Sequence, residues 1–176
     1  MATELPEGTS THRAEGDRRP TVRCAIVTVS DSRTADTDTS GARMRELLET
    51  TGYAVIDATL LPNDETRVRA HVVALIGRGD VDAILLTGGT GLGQRDRTIE
   101  AVRPLFDKEL PGFGEIFRLL SFREQVGTAA ILSRAVAGAA GRTFIASMPG
   151  STAAVELALT RVLIPELRHV VRELSR

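Results

Sequence analysis

The sequence predicts an α/β fold, a three-layer sandwich with a mostly parallel sheet and helices on both faces. Short, unbroken apolar runs recur along the chain, and each has the length and composition of a strand that is buried on both faces. Apolar residues at helical spacing separate these runs, so strand candidates alternate with helix candidates. This alternation produces βαβ units, which place helices on both faces of a largely parallel sheet.

The size and composition fit one globular domain. The chain has 176 residues, of which 42% are hydrophobic and 26% are charged. A chain of this length can bury most of its apolar surface in a single core. Residues 1–20 are polar and charged without apolar periodicity. We therefore predict a disordered leader over residues 1–20 and a single domain over residues 21–176.

The composition disfavours several functional classes. A formal net charge of −1 gives no basic field for nucleic acid or an anionic membrane, and an aromatic content of 3% argues against base-stacking platforms. The single cysteine, Cys24, excludes an internal disulfide and a Cys-rich zinc site. The sequence shows no membrane-spanning apolar run and no secretory signal. We therefore expect a cytoplasmic protein without a nucleic-acid or membrane partner.

The first half of the chain is predicted to contain three strands and two helices. A helix with Met44, Leu47 and Leu48 on one face follows the first strand, and Ser40 is its candidate N-cap. A turn with a capping residue follows the second strand and opens the second helix. The predicted strands are residues 24–29, 53–61 and 83–87, and the predicted helices are residues 40–50 and 65–77.

The second half begins with a short helix that Thr98 opens and Pro104 restricts. Proline and glycine are frequent in residues 107–114, which we predict to be irregular. Pro165 divides the last helical region into two segments. The remaining predicted elements are a helix over residues 115–122, a strand over residues 143–148 and the divided helical region over residues 153–174.

Three of the predicted strands end in loops of small polar residues or glycine. Glycines just past a buried strand allow positive φ and let backbone N–H groups approach a ligand. One such loop alone has an alternative interpretation, a tight turn that needs glycine for its conformation. Because parallel strands bring their carboxyl ends to one sheet edge, and the last loop also opens a helix, we predict a phosphate-bearing small-molecule site. The loops contain Ser30, Asp31 and Ser32; Thr87, Gly88, Gly89, Thr90 and Gly91; and Pro149, Gly150, Ser151 and Thr152.

Carboxylates accompany these loops. Asp31 lies on the first loop, Asp64 follows the second strand and Asp96 ends the glycine-rich loop. Carboxylates that face phosphates normally require a divalent cation between them, and oxygen ligands suit Mg²⁺. For each aspartate alone, a turn or N-cap role is an equally good interpretation, so the Mg²⁺ hypothesis depends on their grouping.

Other familiar sites do not match. The glycine-rich loop lacks the Gly-Lys-Ser/Thr ending of a P-loop, and counting from Gly89 the third glycine of a dinucleotide fingerprint would fall at Gln94. Ser151 lacks the nucleophile-elbow pattern of a Ser-His-Asp hydrolase, and no histidine is near it in sequence.

Five ordered motifs give the chain a family resemblance from about Val22 to its C-terminus. It resembles the molybdopterin adenylyltransferase family, the MogA and MoaB proteins, and is similar to the G domain of gephyrin. The opening Val-Ser-Asp and the Asp-Thr-Ser-Gly at residues 38–41 also fit. The motifs are Thr-Gly-Gly-Thr-Gly-x-x-x-Arg-Asp, Asp-Lys-Glu-x-Pro-Gly-Phe-Gly-Glu, Ala-Ile-Leu-Ser-Arg and Pro-Gly-Ser.

The resemblance implies a homotrimer that catalyses Mg²⁺-dependent transfer of AMP from ATP to molybdopterin, with release of pyrophosphate. It implies that a molybdate-inserting enzyme receives the product. By position, Asp96 matches the essential acid, Gly88 to Gly91 form the backbone cradle, and Asp64 is the candidate second acid and metal ligand. The other expected ligand-binding residues are Ser30, Asp31, Thr87, Asp107, Glu109, Ser133, Pro149, Gly150 and Ser151.

One position departs from the family pattern. The second acid of the family usually follows a proline directly, whereas here Pro62 is followed by Asn63 and then by Asp64. Whether Asn63 or Asp64 takes the place of that acid is left open by the sequence. A non-catalytic protein of the same fold that binds or carries molybdopterin is therefore the alternative to the adenylyltransferase.

Overall fold

The computed structural model describes residues 21–176, and the predicted leader, residues 1–20, lies outside the described residues. One mixed sheet of six strands runs through this part of the chain, in the order β2-β1-β3-β6-β5-β4. Strands β2, β1, β3 and β6 are mutually parallel, and β5 is antiparallel to both β6 and β4. The strands are β1 (Arg23–Val29), β2 (Ala54–Leu61), β3 (Ala83–Thr87), β4 (Lys108–Glu109), β5 (Val136–Ala140) and β6 (Thr143–Met148).

The helices cover both faces of this sheet, which confirms the predicted α/β fold. A 3₁₀ turn extends α3 and stops at Leu105, as the restriction from Pro104 predicts. A π-helical turn (Leu159–Leu163) joins α5 to α6, and Pro165 lies in the first turn of α6, so the final helical region is divided as predicted. The helices are α1 (Thr39–Thr50), α2 (Glu65–Gly77), α3 (Thr98–Val102), α4 (Pro111–Ser121), α5 (Thr152–Ala158) and α6 (Ile164–Leu174).

The central strands separate two apolar cores, because successive side chains of a strand point to opposite faces. On β1, Cys24 and Ile26 face the core formed with α1, α4, α5 and α6, whereas Ala25 and Val27 face the core formed with α2 and α3. The side chains of β1, β3 and β6 are almost all buried, as the unbroken apolar runs predict. Each leucine or isoleucine buried there contributes about 1.5 to 3 kcal/mol to the free energy of unfolding.

The alanine- and glycine-rich residues 136–140 form strand β5, which the sequence analysis does not predict. Small residues have low strand propensity, so the pattern gives no signal. Tertiary packing selects the strand, since a Cβ at Gly138 would lie only 2.5 Å from Cγ of Phe106. Glycine is therefore required where that ring crosses the strand.

Two local predictions are wrong. Residues 107–114, predicted to be irregular, contain β4 and the first turn of α4, which begins at Pro111. Proline is tolerated there because the N–H groups of the first helical turn have no partner within the helix. The N-cap of α1 is Asp38, not Ser40, because the Asp38 carboxylate accepts a hydrogen bond from the Gly41 N–H at 2.9 Å.

None of the helices formed by residues 21–176 combines the length and hydropathy needed to cross a membrane.

Candidate functional site

A cleft of about 480 Å³ opens at the carboxyl ends of the parallel strands. The register aligns Thr28 of β1 with Thr87 of β3, and Thr87 with Met148 of β6, so these strands end side by side. The loops that leave β1, β3 and β6 therefore meet around one cleft, and the predicted convergence is confirmed. The lining residues are Thr28, Val29, Ser30, Asp31, Ser32, Arg33, Ser40, Asn63, Thr87, Gly88, Gly89, Thr90, Gly91, Asp96, Leu132, Ser133, Pro149 and Gly150.

The glycine-rich loop forms the floor of the cleft, and its glycines are required by geometry. Gly88 and Gly89 have φ of +93° and +60°, a region that other residues rarely adopt. A Cβ at Gly88 would overlap the carbonyl oxygen of Val29, and a Cβ at Gly89 would overlap side-chain oxygens of the surrounding loops. Among the described residues, the N–H groups of Gly89, Thr90 and Gly91 have no hydrogen-bond partner. The loop therefore presents backbone donors without side chains in the way.

The loop after β1 is connected to the loop after β2. The Asp31 carboxylate accepts hydrogen bonds from the backbone N–H of Asn63 at 3.0 Å and from its side-chain amide at 3.2 Å. Arg95 forms an exposed ion pair with the same carboxylate at 3.1 Å. These contacts, the Asn63 backbone N–H foremost, hold the pKa of Asp31 below its usual range. Asp31 is therefore an anionic group on one wall of the cleft at neutral pH.

The loop after β6 packs directly against the glycine-rich loop. The Thr87 hydroxyl donates to the Pro149 carbonyl at 3.0 Å, and a Cβ at Gly150 would lie 3.0 Å from Cα of Gly88. Arg33 donates to the Gly150 carbonyl at 3.1 Å and pairs with Asp38 at 3.1 Å. The cleft walls are thus bound to one another by side chains.

Asp96 faces the cleft from the end of the glycine-rich loop. Its Oδ2 accepts a hydrogen bond from the Gly93 N–H at 3.1 Å, and a Cβ at Gly91 would lie 2.6 Å from the same oxygen. The loop therefore curls around this carboxylate. Asp31, Asp96 and Arg33 are the charged residues that line the cleft, two acids and one base.

The residues of the cleft fit Mg²⁺ bound together with a phosphate. Mg²⁺ is usually held by one or two carboxylates, with phosphate oxygens and water completing the octahedron, and Asp31 and Asp96 provide carboxylates of that kind. Within residues 21–176, no group of three or more His, Cys, Asp or Glu residues is placed to enclose a metal ion. The donor set therefore suits a cation that arrives with its substrate better than a metal in a closed protein site.

Comparison with known proteins gives this geometry a family. A family model described as a probable molybdopterin binding domain matches residues 25–169. The chain belongs to this family. The molybdenum cofactor biosynthesis protein B of Halalkalibacterium halodurans is 57% identical over 165 residues, which cover 94% of this chain and 96% of that protein.

Solved structures of the molybdopterin-binding family have the same architecture. A molybdenum cofactor biosynthesis protein B superimposes with a TM-score of 0.87 at 47% identity, over 89% of this chain and 98% of that one. The tungsten cofactor synthesizing protein MoaB from Pyrococcus furiosus gives a TM-score of 0.80 at 34% identity, over 90% of this chain and 99% of that one. The resemblance stated from the motifs is therefore confirmed at the level of family and fold.

Most of the predicted site residues come together in the cleft. Those that line it are Ser30, Asp31, Thr87, Gly88, Gly89, Thr90, Gly91, Asp96, Ser133, Pro149 and Gly150.

Four predicted site residues are not among the residues that line the cleft. Asp64 is the N-cap of α2, where its carboxylate accepts from the Arg67 N–H at 2.9 Å, and Ser151 caps α5 in the same way. Asp107 accepts a hydrogen bond from the Gly141 N–H at 2.6 Å, and Glu109 pairs with Arg103 at 2.9 Å. Each of these side chains has a local partner that accounts for its orientation.

Arg33 and Asn63 line the cleft although the sequence analysis does not select them as site residues. Asn63 follows Pro62 directly and takes the place beside Asp31, while the next residue, Asp64, turns away to cap α2. A helix N-cap signal at Asp64 could have shown this, because a capping side chain is committed to backbone N–H groups. Arg33 carries no comparable signal, since its partners are distant in sequence.

Proposed function

We propose that this protein acts in molybdenum cofactor biosynthesis and transfers AMP from ATP to the terminal phosphate of molybdopterin, with release of pyrophosphate. The observation that carries the proposal is the cleft itself, in which the free N–H groups of Gly89, Thr90 and Gly91 lie on the same loop as Asp96 and opposite Asp31. Backbone donors of this kind bind phosphate oxygens, and the carboxylates suit a cation that accompanies them.

The proposed reaction is an in-line displacement at phosphorus. A terminal phosphate oxygen of molybdopterin forms a bond to the α-phosphorus of ATP. The bond from that phosphorus to the bridging oxygen breaks, and its electron pair leaves with pyrophosphate. Such a step needs positioning and charge stabilisation rather than a covalent protein nucleophile.

The chain supplies this positioning through rigid loops. Gly88 to Gly91 would hold phosphate oxygens, and Ser30 and Ser133 offer hydroxyl groups on either side of them. Asp96 and Asp31 would hold Mg²⁺, which when bound neutralises negative charge on the phosphates. Asp64 has no part in this proposal, because its carboxylate caps α2.

We further propose that the protein is a homotrimer, as the family resemblance implies, and that its product passes to a molybdate-inserting enzyme. Exposed apolar side chains on and after α4 support assembly, since clustered exposed apolar residues commonly mark interaction surfaces. They are Ile116, Leu119, Phe122, Val126, Ile131 and Leu132.

Pyrophosphate release tests the proposed activity. We expect the purified protein with ATP and Mg²⁺ to release pyrophosphate only when molybdopterin is present, because the acceptor phosphate is required for the displacement. The product carries AMP on molybdopterin and is detected by mass spectrometry. Omission of Mg²⁺ is the control, and turnover that is independent of molybdopterin would contradict the assignment.

A carrier that binds molybdopterin without turnover is the second candidate. It is favoured by Asn63, an amide that stands in the cleft where the family resemblance leads us to expect an acid. A neutral oxygen attracts a divalent cation less strongly than a carboxylate does. Molybdopterin binding without pyrophosphate release would select this candidate.

A further inference from the structure

The guanidinium group of Arg134 binds two points of the chain on either side of Asp96. Its Nε donates to the carbonyl oxygen of Thr90 at 2.9 Å. Its Nη1 and Nη2 donate to the two carboxylate oxygens of Glu100, each at 2.9 Å. Residues 90–100, which we name the Asp96 loop, are therefore closed at both ends by one side chain.

This contact also connects opposite walls of the cleft. Arg134 directly follows Ser133, which lines the cleft across from the glycine-rich loop. Glu100 lies on α3, whose first residue, Thr98, donates its backbone N–H to the Gly89 carbonyl at 2.9 Å. The position of Ser133 is thus coupled to that of Thr90 and, through the loop, to that of Asp96.

The Arg134–Glu100 pair is stronger than an ordinary surface ion pair. It is bidentate and about 70% buried, with side-chain exposures of 29% and 30%. The Arg134 hydrogen bonds lower the pKa of Glu100, and Glu100 in turn raises the pKa of Arg134, so both groups stay charged at neutral pH. An ammonium group cannot replace this fork, because it does not offer planar donors to a carboxylate and a carbonyl at once.

We propose that Arg134 is a positioning residue for adenylyl transfer. It fixes the Asp96 loop by holding the Thr90 carbonyl and the Glu100 carboxylate together, and so sets Asp96 and Ser133 across the cleft from each other. Arg134 does not contact the reacting atoms. Its effect on turnover rests on the proposed function, whereas its effect on the loop does not.

The test compares Arg134→Lys with the wild type in two independent measurements. In hydrogen–deuterium exchange, the amides of residues 90–96 are expected to exchange about tenfold faster or more in the variant, because the loop opens locally when its closing hydrogen bonds are lost. In steady-state kinetics, kcat is expected to fall about 30- to 100-fold, as for a misplaced catalytic group, while KM for ATP changes less than about threefold. Arg78→Lys is the matched control, since Arg78 makes a comparable double contact with Asp57 and Asp80 that includes no residue of the cleft.

A charge swap separates positioning from simple ion pairing. In the double variant Glu100→Arg/Arg134→Glu the opposite charges are retained, but the residue at position 134 has no donor for the Thr90 carbonyl. We expect this variant to keep both the fast exchange of residues 90–96 and the low kcat. Glu100→Gln, which leaves Arg134 and Thr90 in place, replaces it if the swap does not fold, and is expected to give intermediate exchange and kcat.

Wild-type exchange in residues 90–96 of Arg134→Lys would overturn the proposed role. So would recovery of slow exchange and wild-type kcat in the charge swap, because the ion pair alone would then suffice. If the wild-type protein released no pyrophosphate, the proposed function would fail, and the exchange measurements would still decide the role of Arg134 in the loop.

Discussion

Replacement of Asp96 by asparagine is expected to reduce the rate of molybdopterin-dependent pyrophosphate release by about 10²- to 10³-fold, the range found when one group that stabilises charge is removed from an active site. The asparagine side chain keeps an oxygen that can accept the hydrogen bond of the Gly93 N–H, so the loop is expected to retain its conformation. The charge facing the cleft is what is lost. Initial rates at saturating ATP and Mg²⁺ measure the effect, and the Mg²⁺ concentration needed for half-maximal rate is expected to rise.

Asp64→Asn is the matched control for Asp96→Asn. Asparagine is as good an N-cap as aspartate, so the cap of α2 and the free energy of unfolding are expected to change little. The rate is expected to stay within about twofold of the wild type, since surface substitutions away from a site rarely matter. Equal losses in the two variants, or an unchanged rate in Asp96→Asn, would contradict the role given to Asp96.

Replacement of Gly89 by alanine is expected to weaken ATP binding by about 100-fold, equivalent to about 2.7 kcal/mol. A Cβ at this position overlaps Oδ1 of Asn63 and Oγ1 of Thr98, and the positive φ of 60° adds backbone strain. Both oxygens are buried without a hydrogen-bond partner among the described residues, so they have no room to turn aside at no cost. The loop must shift, and its N–H groups shift with it. Isothermal titration calorimetry with ATP and Mg²⁺ measures the loss.

Gly77→Ala provides the comparison for Gly89→Ala. Gly77 ends α2 without positive φ, and a Cβ there has no atom within 4 Å. Alanine is the better helix former, so this variant is expected to be about 0.5 to 1 kcal/mol more stable than the wild type and to bind ATP unchanged. Wild-type affinity in a folded Gly89→Ala variant would show that the glycine-rich loop does not hold the nucleotide.

The sequence predicts the part of the fold whose pattern is dictated by burial. Strands β1, β3 and β6 are buried on both faces, so nearly every residue is apolar and the runs are plain. Strand β5 is also buried, but its residues are small because Phe106 crosses it at Gly138. That requirement comes from a contact between distant parts of the chain, which no local pattern records.

The same distinction applies to the site. The loops that carry Ser30, Gly88 and Gly150 were predicted to meet because parallel strands place their carboxyl ends at one edge, and they do. The choice between neighbouring side chains was not predictable in this way. Asn63 faces the cleft and Asp64 does not, because the backbone N–H groups at the start of α2 take up the Asp64 carboxylate.

A crystal structure with α,β-methylene ATP and Mg²⁺ tests the central claim most directly, because this analogue cannot lose pyrophosphate. The triphosphate is expected to lie against the N–H groups of Gly89, Thr90 and Gly91, with Mg²⁺ between the phosphates and the carboxylates of Asp96 and Asp31. A nucleotide bound elsewhere on the protein, with this cleft empty, would contradict the account.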